Sequence, residues 1–87
     1  MLLIYQVISY YPSKDEIVVK NYKEAFTALQ EYDRVVEDMR GMYDETAVSE
    51  ISENPANGDV LQETRWLLDD YYANAYTSVR KINLELK

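Results

Sequence analysis

The sequence predicts a small single α+β domain in which an N-terminal β-hairpin, with a weaker signal for a third short strand, is covered by two helices. Three observations carry that expectation. The chain opens on a β-branched and aromatic segment interrupted by Pro12-Ser13-Lys14-Asp15, continues through a capped amphipathic stretch ending near Arg40, and closes on an apolar repeat at Leu61, Leu68, Ala75 and Ile82. At 87 residues there is room for one core. No Cys is present to reinforce it by disulfide or zinc–thiolate bonding.

Residues 2–11 (LLIYQVISYY) have the composition of a strand, and both pleated faces are largely apolar, with only Gln6 and Ser9 interrupting them. The turn at 12–15 returns the chain into Glu16-Ile17-Val18-Val19-Lys20, which completes a hairpin. Asn21, three residues before Glu24, has the spacing of a capping box, so a helix is expected from about residue 22 to 40, ended by Gly41. Its buried stripe reads Ala25, Leu29, Tyr32, Val36 and Met39, with Phe26 beside it. A short strand over 47–52 is suggested because a lone hairpin is marginal in water. The segment Glu53-Asn54-Pro55-Ala56-Asn57-Gly58 reads as a loop. A second helix over about 60–80 is favoured by the heptad, with Tyr72, Val79 and Leu86 in its second seam. The competing reading ends that helix near Asn74 and makes 78–86 a strand in which Ile82, Leu84 and Leu86 alternate with polar residues.

Charge is unevenly placed. Glu31, Asp33, Glu37, Asp38, Asp44, Glu45, Glu50, Glu53, Asp59 and Glu63 face only Arg34 and Arg40, so residues 31–63 carry −8 of a chain whose net charge is −7. Residues 1–30 sum to 0 and residues 64–87 to +1. Such a field repels nucleic acid and anionic membrane and attracts basic protein surfaces over a salt-dependent range. The opening apolar residues lack the basic flank and cleavage signal of a secretory leader, and no run has the length of a membrane span; the expected location is cytoplasmic.

Without His or Cys the usual nucleophilic and acid–base constellations cannot be assembled, and the five Ser residues lie in no nucleophile motif. The expectation is therefore a protein with no catalytic residues, no cofactor and no metal. Asp33 with Glu37, Asp44-Glu45 and Asp69-Asp70 could attract a hard cation, but none has the spacing of a calcium loop. No glycine-rich phosphate loop is present. The bases Arg80, Lys81 and Lys87 are accounted for by a helix C-terminus, and direct nucleic-acid binding is not expected.

Binding is left as the expected activity. Glu31 and Asp38 would lie about 10 Å apart along a helix, with Asp33 and Glu37 on the adjoining strip, intervals at which carboxylates can occupy positions a protein offers to phosphates. The expected acidic contact set is Glu31, Asp33, Glu37, Asp38, Asp44, Glu45, Glu50 and Glu53. The nine Tyr residues are more than so small a core can bury. Tyr43, Trp66, Tyr71 and Tyr76 are accordingly expected at a partner or homodimer surface. In size, acidity and lack of catalytic residues the chain resembles small phage-encoded inhibitors of host defence, the anti-CRISPR and anti-restriction proteins. That resemblance lies in composition and implies a non-enzymatic inhibitor acting in a host cytoplasm by nucleic-acid mimicry, on a protein with a basic, nucleic-acid-binding surface. The alternative is a homo-oligomer assembling through the second helix, where Leu68 and Val79 would lie in the seam.

Overall fold

The computed structural model describes residues 3–43, 47–53, 60–68 and 74–83. Five strands and one helix follow in the order β1 (Leu3–Tyr11), β2 (Glu16–Tyr22), α1 (Ala25–Tyr43), β3 (Ala47–Glu53), β4 (Val60–Leu68) and β5 (Ala75–Asn83). The strands form one antiparallel sheet in the spatial order β2-β1-β5-β4-β3. The expected hairpin covered by two helices is thus replaced by a five-stranded sheet with a single helix. Within the segment expected as the second helix, residues 60–68 and 75–83 are strands.

The hairpin closes as its turn chemistry requires. The Lys14 amide donates to the Tyr11 carbonyl at 3.1 Å and the Asp15 amide to the Pro12 carbonyl at 3.3 Å. Asp15 takes a left-handed backbone with φ of 49°, a conformation its short side chain tolerates better than most. The Tyr10 hydroxyl reaches the Asp15 carboxylate at 3.4 Å.

Asn21 does not cap the helix. It remains in β2, where its side-chain oxygen accepts a hydrogen bond from the Gln6 amide at 3.0 Å across the strand pair, and helix α1 begins at Ala25. Nor does Gly41 end it. An added Cβ there would meet no atom within 4 Å, and the helix runs on to Tyr43, whose buried ring and hydroxyl anchor the last turn. The Tyr43 hydroxyl meets the Ser13 hydroxyl at 2.9 Å, so the helix end is tied to the hairpin turn. The buried stripe is Ala28, Tyr32, Val35, Val36, Met39 and Tyr43, rotated slightly from the expected one, and Phe26 points into solvent.

The register explains why 60–68 and 75–83 are extended. Strand β1 is paired along both edges, which satisfies its backbone N–H and C=O groups; β2 pairs on one and β5 on the other, from Leu3↔Asn83 to Tyr10↔Tyr76. Thr64, Trp66 and Leu68 on β4 alternate towards the helix, as do Ala75, Thr77 and Val79 on β5. The polypeptide leaves the β2 edge, passes through α1 and re-enters at the β3 edge, after which β4 and β5 fill the sheet inward. Shifts in register after Ala47 and after Val60 place bulges in β3 and β4.

The core is therefore one layer, between α1 and the helix side of the sheet. Trp66 is its largest fully buried side chain, at 1% exposure. A row of hydroxyls crosses this layer on four strands. Ser9 meets Thr77 at 3.0 Å, Ser52 meets Thr64 at 3.1 Å, and the Tyr32 hydroxyl descends from the helix onto Thr64. The Ser9, Thr64, Thr77 and Tyr32 hydroxyls are thereby partnered, as polar groups in a small core must be.

Candidate functional site

The solvent side of α1 and the adjoining strand β3 hold the acidic residues that define the candidate site. Their helical spacing fixes their order, since residues three and four apart become neighbours. Arg34 bridges Glu31 at 2.7 Å and Asp38 at 3.2 Å, while Arg40 bridges Glu37 at 3.0 Å and Glu50 on β3 at 3.0 Å. Lys20 on β2 adds a second cation to Glu31 at 3.0 Å. Three cations thus answer four acids, and Asp33 has no ion-pair partner among the described residues.

These acids divide into two kinds. The Glu31 side chain is only 13% exposed, and hydrogen bonds from Arg34 and then Lys20, outweighing the opposing effect of its burial, hold its carboxyl down to a pKa of about 2. The Glu50 carboxyl is likewise lowered, chiefly by Arg40, and accepts the Trp66 indole N–H at 2.7 Å. Both fasten elements together: Glu31 ties α1 to β2, and Glu50 ties β3 to α1 and to the core Trp. An acid held ionised in this way is a poor proton donor at neutral pH. Glu37 and Asp38, by contrast, are 74% and 60% exposed at their side chains, and with Asp33 they form the accessible anionic strip.

The remaining expected contact residues fall in different places. Asp44, Glu45 and Tyr71 lie outside the described residues, and of Glu53 only the backbone, at the end of β3, is described. Glu63 faces the side of the sheet away from the helix, opposite Ser78. The two large aromatics expected at a surface are core residues, because Trp66 sits on the helix side of β4 and Tyr43 closes α1 against the hairpin turn; neither ring is open to a partner. Tyr76 stands on the other side of the sheet, its ring centroid 6.1 Å from that of Tyr10.

That other side carries many of the sheet's remaining apolar side chains. It presents Ile4, Ile8 and Tyr10 of β1, Ile17 and Val19 of β2, Tyr76 and Ile82 of β5, and Leu67 and Ile51 at the far edge. A shallow recess of about 270 Å³ lies within it, lined by Ile8, Glu63, Arg65, Tyr76, Ser78 and Arg80 among others. The available sequence signal was the double-sided apolar character of residues 2–11.

Among the described residues no group of three acidic side chains is placed to hold a metal ion, and no helix is long and apolar enough to cross a membrane. Compared with known proteins, the chain matches no family model, no curated protein and no solved structure.

Proposed function

We propose that the protein is a non-enzymatic binding domain that places the outer strip of α1 against a cationic, nucleic-acid-binding surface of another protein and blocks it. The observation that carries this reading is the exposure of Glu37 and Asp38 beside Asp33, an anionic strip on one helix in which Glu37 and Asp38 each share a half-exposed Arg with a less exposed acid and Asp33 has no ion-pair partner among the described residues. Carboxylates at fixed intervals along a helix face compete for Arg and Lys side chains arranged to receive a phosphate backbone. The excess charge of residues 31–63 adds long-range attraction to such a surface.

The test neutralises the strip while sparing the anchors. Asp33→Asn, Glu37→Gln and Asp38→Asn together remove three charges and leave Glu31 and Glu50 in place. Wild-type protein is expected to displace a labelled oligonucleotide from a basic nucleic-acid-binding protein recovered with it from lysate, with displacement weakening as salt rises. The triple variant should lose at least tenfold in potency. Equal displacement by the two proteins at low salt would sink the reading.

A further inference from the structure

We infer that the sheet face opposite α1 is the interface of a homodimer, in which two copies stack their open faces into a sandwich with the helices on the outside. No described element lies over this face. An antiparallel sheet with one solvated side ordinarily alternates apolar-in with polar-out, but here the outward positions include Ile4, Ile8, Ile17, Val19 and Ile82, with Tyr10 packed beside Tyr76. Ile17 and Val19 are 63% and 50% exposed. Cross-strand pairing gathers the apolar side chains into two groups on this face: Val19 flanks Ile8 while Ile17 and Tyr76 flank Tyr10 at one end, and Ile82 stands beside Ile4 at the other, with the polar row Asn21, Gln6 and Arg80 between them. Exposed apolar area of this kind marks an interaction surface.

Size and charge together select a second copy as the occupant. Five strands at roughly 4.8 Å spacing, each of seven to nine residues at roughly 3.3 Å, give a face of roughly 600–700 Å² before side-chain relief is counted. That is the scale of the ~800 Å² each partner contributes to a standard interface. The strands of two such sheets can align face to face about 10 Å apart, as in a β-sandwich. The acids of α1 lie on the opposite side of the sheet, so stacking open faces holds the two acidic helix surfaces as far apart as the molecule allows. A two-fold axis near the central strand β5 makes the contact isologous and closed.

The surface is distinct from the acidic strip, and the two respond oppositely to salt. Sedimentation velocity of the full chain from 1 to 200 µM, in 50 mM and 500 mM NaCl, reads the assembly directly. The expected result is a reversible shift from the 10.2 kDa chain to a particle of twice that mass, undiminished or strengthened at high salt. The double variant Ile17→Glu/Val19→Glu, at positions already solvent-exposed in the single chain, should raise the dissociation constant at least tenfold, and Ile82→Lys, on the central strand away from the β2 edge, should raise it as well. Asp33→Lys should leave it unchanged. Circular dichroism of each variant confirms that the fold is retained. A monomer at every concentration and salt overturns the inference. So does a dimer that ignores these open-face substitutions, or one weakened by the β2 changes but not by Ile82→Lys, which would indicate edge-to-edge strand pairing instead.

Discussion

The two faces of one sheet both carry aliphatic and aromatic side chains, and these meet different fates. On the helix side, Val7, Val79, Trp66 and Leu68 are sealed beneath Ala28, Tyr32, Val35, Val36 and Met39, and the polar atoms that enter are hydroxyls partnered across the strands. On the other side, Ile8, Ile17, Val19 and Ile82 have similar chemistry and no described cover. One 19-residue helix is enough for one face. The difference teaches that hydrophobicity along a strand specifies a need for burial, while the number and placement of covering elements decide which residues become core within a single chain.

The comparison is broken most severely at Trp66. Replacing it with Ala empties the largest buried volume on the helix side and removes the donor to Glu50, which in turn loosens the link between β3 and Arg40. A loss of about 3–5 kcal/mol is expected for a buried Trp→Ala change, readable as a fall in the urea midpoint. A loss below about 1 kcal/mol would show that the helix-side layer is not the stabilising core.

How far this asymmetry could be read in advance depends on which interactions are local. The hairpin was legible because its turn and both strands are contiguous, and α1 was legible because its apolar period repeats over several turns. A strand at 47–52 follows from the marginal stability of an isolated hairpin, and β3 occupies Ala47–Glu53. The segment after Gly58 was misread because Leu61, Leu68, Ala75 and Ile82 fall at helical spacing by accident of two strands in succession. Within β5, Ala75 faces α1 whereas Ile82 stands beside Ile4 on the open face, as residues an odd number apart on a strand must. A period-two count with the β-branched and aromatic types of 60–83 carried the correct signal. For the site, helical spacing gave the Arg34 to Asp38 pair, but the Lys20 to Glu31 and Arg40 to Glu50 contacts join elements far apart in sequence and have no local signature. The burial of Trp66 and Tyr43 is likewise a property of which face of which strand or turn they meet.

Glu31 sharpens the comparison on the covered side by separating electrostatic fastening from packing. Its carboxyl has an unfolded value near 4.5 and a folded value of about 2, lowered first by the hydrogen bonds from Arg34 and then by Lys20. A depressed carboxyl contributes stability that is complete above the unfolded value and disappears as pH falls through the folded one. The stability difference between wild type and Glu31→Gln should therefore be flat above about pH 5.5 and shrink between about pH 4.5 and 2. Both cations are about half exposed, so solvent screening limits the plateau to about 1–2 kcal/mol. Urea titrations at stepped pH read it. A difference that grows on acidification would remove the assigned ion pairs.

The smallest expected effect lies on the open face and is the most discriminating. Ile17→Thr keeps a β-branched residue in an edge strand while deleting apolar area that the single chain leaves 63% exposed. At a concentration below the onset of self-association its stability should lie within about 0.5 kcal/mol of wild type, because surface substitutions away from packed contacts move little. At higher concentration the two proteins should diverge, since anything that binds only the folded chain adds stability by mass action. Thermal midpoints measured across a hundredfold range of protein concentration distinguish the cases. A concentration-independent loss above about 1.5 kcal/mol would mean that Ile17 is already buried within the single chain, and the contrast between the two faces would fail at its clearest point.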